Sequence, residues 1–315
     1  MWNKPFAIII NEHAGNGRAS EFAPDIKQTA RNLGGHCFIT HYPGHAASLA
    51  KQLSKRFELI FAAGGDDTIR EVLQGLQGRD NLLGIIPLGT FNNIAYGLNL
   101  PSSPHQAFDD ALNGEIQYID IGKIENGLYF IESVGIGLDA LAWRKAPASE
   151  PSGFSRWTQG LRLGLETLHE LEGIPVKITG DDFIYEGTIL QITIANSPTF
   201  ASGFKANPHA RLDDGFLDIC IVPVMSKAKF LALVPLIYYG MHEGFGGIQF
   251  FKTQKVVIES PAETFARVDG MLAGKLPLRA HAIKDALPML LPKRDQPLPF
   301  TESLRQLYLD IEELF

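Results

Sequence analysis

LIFAAGGDDTIREVLQGLQG, residues 59–78, is the stretch from which the fold can be read. Its opening apolar run is too short for a helix and reads as a buried strand over 59–62. Two glycines end the run, and beyond them Ile69, Val72, Leu73 and Leu76 recur at helical spacing, which predicts a helix over 68–78. The same alternation continues on both sides, with strands over 6–10, 37–40 and 83–86 and helices over 23–33, 45–54 and 92–98. Strand and helix in turn imply a parallel sheet covered on both faces, whose functional edge is the carboxyl end of its strands.

After about residue 120 the pattern changes to β-rich runs over 129–134, 176–179, 184–195, 217–222, 255–259 and 276–282, separated by Gly, Pro and Asp turns. This predicts an antiparallel second domain. Two segments over 156–172 and 227–240 read as helical lids or packing layers, and 301–315 reads as a helix packing back on the body. A chain of 315 residues is long enough for two domains. Their expected extents are 1–122, completed by 293–315, and 123–292.

Twenty-eight Lys and Arg against 35 Asp and Glu give a net charge of −7, a field that opposes nucleic acid and anionic surfaces. Cys37 and Cys220 have no partners at metal-ligand spacing, which argues against zinc fingers and a disulfide framework and favours a reducing, cytoplasmic compartment. No secretory signal is expected at the start of the chain. The longest apolar window, 230–239, contains Pro235 and is too short for the ~30 Å of a bilayer core, so no transmembrane helix is expected.

Three Gly-rich turns follow predicted strands: NEHAGNGR (11–18), GGDDTIRE (64–71) and PLGTFNN (87–93). Glycine lets backbone N–H groups approach an anion closely, and a following helix N-terminus adds favourable potential. One such turn is weak evidence, because a tight strand–helix connection has the same composition. Three at successive strand ends converge on one edge of the sheet. None matches the dinucleotide fingerprint or the P-loop, so any nucleotide is held another way.

GGDDTIREVLQGL (64–76) resembles G-G-D-G-T-x-x-E-V-x-x-G-L of the diacylglycerol kinase catalytic domain family, lipid kinases that include bacterial diacylglycerol kinases and sphingosine kinases. IIPLGTFNNIAYGLNLP (85–101) is similar to its I-P-x-G-T-x-N-D-x-A-x-x-L-x-x-P. ESVGIGLDA (132–140), ARLDDGFLDICIV (210–222) and VDGM (268–271) resemble its G-x-G-x-D-A, D-D-G-x-L-D and D-G-E segments. The resemblance implies an α/β fold: an N-terminal parallel nucleotide-binding domain like that of NAD kinases and diacylglycerol kinases, and a C-terminal antiparallel β-rich domain for a lipid substrate. ATP would lie between them on Asn11, Gly15, Thr40, Gly64, Gly65, Asp66, Thr68, Glu71, Gly89, Thr90 and Asn92. Asp66 is well suited to orient Mg²⁺ or its waters. The resemblance further implies catalytic roles for Asp66 and Asp269 and a structural metal on the Asp214 carboxylate and the backbone carbonyls of Arg211 and Phe216. It also leaves Asp139 as either a helix cap or a substrate contact. A homodimer and a peripheral position at the inner membrane face are compatible with this reading.

The departures from the pattern are specific. Asp67 replaces a Gly, Asn93 an Asp, Glu12 a Pro, and Met271 the Glu that by resemblance accepts the proton of the lipid hydroxyl. Added carboxylates beside a polyphosphate bring like-charge repulsion. Methionine accepts no proton, and Asp269 is the one obvious replacement base in sequence. Two expectations follow: an ATP-dependent lipid kinase, or a degenerate member that binds lipid or nucleotide without turnover. A kinase of NAD is the lesser alternative, since those enzymes lack the D-D-G-x-L-D segment.

Overall fold

The computed structural model describes residues 2–138, 140–141, 173–199 and 204–293. Asp139 and the helices expected over 156–172 and 301–315 lie outside them.

Strand β1 (Phe6–Ile10) is buried at every position. Its side chains alternate across the pleat, so one apolar run serves two layers. Phe6, Ile8 and Ile10 pack with α1 (Ala19–Asn32) and α5 (Pro104–Leu112). Ala7 and Ile9 pack beneath α2 (His45–Leu53) and α3 (Asp66–Gly75). Phe6, Phe61 and Phe108 meet edge to face, which fixes the seat of α5. Strand β1 pairs in parallel with β2 (Gly35–Ile39) and β3 (Leu59–Gly64), and β3 with β4 (Leu82–Pro87). All four carboxyl ends therefore lie along one edge. The short helix α4 (Asn93–Gly97) follows β4. Helix α5 is absent from the sequence reading, although Ser103 at its N-cap and Pro104 at its first position mark its start.

The remaining strands are β5 (Glu115–Ile124), β6 (Tyr129–Phe130), β7 (Ser133–Gly137), β8 (Ile174–Thr179), β9 (Ile184–Ala195), β10 (Leu217–Pro223), β11 (Gln249–Thr253), β12 (Lys255–Glu259), β13 (Phe265–Val268), β14 (Met271–Lys275) and β15 (Leu278–Leu291), with α6 (Lys227–Tyr239) after β10. Their pairings with one another are antiparallel and enclose a second apolar core. The expected class is thus the observed one, a parallel α/β half followed by an antiparallel β-rich half.

The two halves share one sheet, in the order β14-β13-β7-β9-β8-β12-β15-β4-β3-β1-β2. Strand β15 joins them. Leu278 and Ala280 lie in the second core, while Leu287, Met289 and Leu291 lie in the first beneath α2 and α3, and Met289 bridges Leu83 of β4 in parallel. This strand runs nine residues past the end expected at 282, because the bulge between Ile283 and Leu287 re-aims it rather than ending it. The strand expected over 129–134 is in turn two strands, β6 and β7, interrupted at Ile131 and Glu132.

Asp120, fully buried on β5, holds the bulge. Its Oδ1 accepts the N–H of Asp285 (2.8 Å) and its Oδ2 the N–H of Gly215 (2.5 Å). Asp285 and Gly215 both adopt positive φ, so their amides point inward and need an acceptor. Asp120→Ala is expected to lower unfolding free energy by about 3 to 5 kcal/mol in urea denaturation, since two amides lose a charged acceptor, and Asp120→Asn by less.

Candidate active site

Three loops leave the carboxyl ends of β1, β3 and β4 and are bound to each other before any ligand is considered. Asn11 Nδ2 donates to Thr68 Oγ1 (3.1 Å), joining the first loop to the second. Asp66 Oδ1 accepts the N–H of Ile94 (3.0 Å), joining the second to the third. Between them the backbones come close enough to exclude side chains. A Cβ on Gly15, which has φ +63°, would stand 2.6 Å from the Leu88 carbonyl oxygen, and one on Gly89 would collide with Gly65 Cα. Glycine is required here by contact as well as by conformation.

These loops floor a cleft of about 600 Å³, a usual size for a small-molecule site. Of the residues expected to hold ATP, Asn11, Gly15, Gly65, Asp66, Thr68, Gly89 and Thr90 line it, and Asp269 and Met271 close it from the β-rich half. Gly64, Thr40, Glu71 and Asn92 lie outside its lining and shape the loops. Glu71 accepts the N–H groups of Gly44 (2.7 Å) and Ala46 (3.1 Å) and so caps α2. Asn92, at φ +52°, accepts the N–H of Gly89 (2.8 Å). Thr40 is buried and donates its N–H to Ile10.

The charged side chains explain two of the departures. Asp67 Oδ1 lies 2.7 Å from Arg70 on the next turn of α3, and Glu12 Oε1 lies 2.5 Å from Lys27. Each added carboxylate comes with its own cation, which lessens the repulsion expected at the phosphate loops. Arg70 reaches further: its second terminal nitrogen donates to the backbone carbonyl of Asp269 (2.6 Å), tying α3 to the opposite wall. Burial pushes the Asp66 carboxyl above its usual range, although the N–H groups of Ile94 and Asn93 draw it back.

Asp269 sits at φ +39° in the turn between β13 and β14. Its carboxylate accepts three backbone N–H groups, from Ile131 (2.8 Å), Glu132 (3.0 Å) and Ser133 (2.9 Å). This is why the 129–134 run breaks: at Ile131 and Glu132 the amides bond to a carboxylate in place of a neighbouring strand. Arg70, Arg267, Glu132, Ser133, His13 and Asn16 also line the cleft and were not anticipated. Only Glu132 carried a signal, a lone carboxylate in the run YFIESVGIG.

The expected metal position is arranged differently. Asp214 Oδ2 is 2.7 Å from Lys252 Nζ, and Oδ1 accepts the N–H of Phe216 (3.1 Å). Arg211 faces Asp213 at 2.9 Å. Among the described residues no group of three or more His, Cys, Asp or Glu is placed to hold a metal. The Asp214 carboxylate thus meets an ammonium and a backbone amide in this turn. The cleft does fit a magnesium nucleotide: glycine backbones, Thr90 and two arginines suit phosphate oxygens, and Asp66 suits the ion's waters.

Residues 5–124 match the model of the diacylglycerol kinase catalytic domain, and residues 132–291 that of the YegS C-terminal NAD kinase beta sandwich-like domain. A diacylglycerol kinase of Bacillus subtilis is 32% identical over 279 residues, covering 86% of this chain and 90% of its own. One from Staphylococcus epidermidis is 29% identical over 291 residues, covering 91% and 92%. The structure of a diacylglycerol kinase from Bacillus anthracis superposes with a TM-score of 0.71 at 23% identity, over 92% of this chain and 97% of that one. A second structure from that organism gives 0.75 at 24%, over 92% and 95%. Two family models spanning both halves of one sheet, around a cleft built from three anion-type loops, place this chain in the bacterial diacylglycerol kinase-like family of lipid kinases.

Proposed function

We propose that this protein is an ATP-dependent lipid kinase that transfers the γ-phosphate to a hydroxyl of a long-chain lipid, diacylglycerol being the first candidate. The convergence of three interlocked glycine loops and two arginines on one interdomain cleft carries this reading. Phosphoryl transfer depends mainly on positioning and charge neutralisation, and the cleft is equipped for both. The glycine N–H groups and Thr90 hold the phosphate chain. Arg70 and Arg267 offset negative charge at the transferred group. Asp66 would hold a magnesium ion through its waters, and the ion would supply charge neutralisation to the phosphates. Phe91 and Met271 supply apolar surface at the rim for the acceptor.

No helix among the described residues is long and apolar enough to cross a membrane. On the kinase reading, the lipid is taken from the surface of the inner leaflet by a peripheral protein. The second reading, binding without turnover, is favoured by Met271 and by Asn93, which stands where the family pattern has Asp, while Asp67 is paired with Arg70.

Incubation with γ-labelled ATP and a total lipid extract supplemented with dioleoylglycerol is expected to label lipid, and Asp66→Asn to reduce labelling at least ~10-fold. Tight ATP binding with no labelled lipid would establish the non-catalytic reading. Calorimetric titration tests the charge arrangement. Arg70→Ala is expected to weaken ATP binding about tenfold by removing a cation and unmasking Asp67, and adding Asp67→Gly to recover most of that loss, a coupling of about 1 kcal/mol.

A further inference from the structure

The carboxylate expected to stand in for the missing base is already engaged. Both oxygens of Asp269 receive amide hydrogens, and its own N–H donates to the Ser133 carbonyl (3.0 Å), so the group serves as a clamp between the β13–β14 turn and residues 131–133. Protonating it would break at least one of those bonds. Of the other carboxylates in the cleft, Asp67 is paired with Arg70, and one oxygen of Asp66 caps α4.

Glu132 is different. It lines the cleft beside Ser133, Asp269 and Met271, yet the whole residue is only 6% exposed. Its backbone is fixed on both sides: the N–H donates to Asp269, and the carbonyl accepts from Asn196 (2.9 Å) and Ser197 (3.1 Å). Among the described residues no hydrogen-bond donor reaches its carboxylate. A buried carboxylate without such a partner is costly to keep, and in a cleft that is a mark of use. The Asp269 clamp also carries it to the turn that bears Met271, because Asp269 binds the Glu132 amide two residues before Met271.

We infer that Glu132 is the proton acceptor of the transfer step, taking over the function that Met271 cannot perform. The inference rests on the kinase reading above. As the acceptor oxygen bonds to the γ-phosphorus, its proton passes to Glu132. The bond from that phosphorus to the β,γ-bridging oxygen breaks, and ADP leaves with the electron pair. The proton is then released to solvent. Burial, with Asp66 and Asp269 nearby, raises the proton affinity of Glu132 well above that of a surface glutamate, while Arg267 and Arg70 oppose the rise. That makes it a stronger base.

The test uses the full chain with γ-labelled ATP, total lipid extract and dioleoylglycerol vesicles. Glu132→Gln is expected to lower turnover ~10²-fold or more while ATP affinity is unchanged and the melting temperature is equal or higher, since a strained buried charge is relieved. Met271→Glu added to that variant is expected to restore turnover to within ~10-fold of the original, which a merely structural role for Glu132 would not allow. Wild-type turnover in Glu132→Gln would overturn the assignment and leave the kinase reading intact. ATP binding without turnover in the unaltered protein would overturn both. Should Glu132→Gln fail to fold, Met271→Glu alone still decides: a gain below ~10-fold supports Glu132 as the working base, and a gain of ~10² shows that the base was missing.

Discussion

A buried amide or carboxylate must find a partner, and in this protein that constraint builds the cleft. Asp269 shows it most directly. Three amides that could have extended one long strand turn to its carboxylate, and the strand divides into β6 and β7. The division puts Glu132 at the cleft wall. The backbone carbonyl of Asp269 accepts Arg70 from α3, so one side chain of the floor holds the opposite wall by its main chain. Asp120 does the equivalent work behind the site, where it gathers the amides of the β15 bulge and of the 213–215 turn.

The charge pattern follows from that architecture. Carboxylates at 66, 67, 132 and 269 would make the cleft hostile to a polyphosphate if all were free to act together. They are not equivalent. Asp67 is neutralised by Arg70 and largely exposed, Asp66 is held by the start of α4, and Asp269 is locked by amides. Arg267 adds a second cation on the β-rich side. Two of the four substitutions that set this chain apart from its family's pattern therefore form compensated pairs, Asp67 with Arg70 and Glu12 with Lys27, whereas Asn93 and Met271 each remove a carboxylate.

The parallel half was legible in the chain because its signals are local. A short apolar run followed by glycine and a 3.6-residue period needs no partner to be recognised, and each of the eight elements expected over 6–98 exists within a few residues of its expected bounds. The glycine loops were legible for the same reason, and the strand ends bring them to one edge. Residues whose work is to shape a loop read like ligands in a linear motif. Glu71 and Asn92 are examples, since a carboxylate that caps a helix and one that faces a nucleotide have the same letter.

What the sequence by itself determined is the class of the fold and the three anion-type turns, both set by spacing along the chain. Which carboxylate is clamped, which is paired and which receives no hydrogen bond among the described residues was decided only by tertiary structure. Asp269 and Glu132 are 137 residues apart, and Arg70 and Asp269 are 199 apart. No local pattern relates them. The reach of β15 into both cores is equally non-local, because Asp285 and Pro288 interrupt its apolar run and pairing with β12, β5 and β4 keeps it a strand. Hydrogen bonds act over about 3 Å in space and are indifferent to separation in sequence, so the polar wiring of the cleft became readable only once the chain had folded.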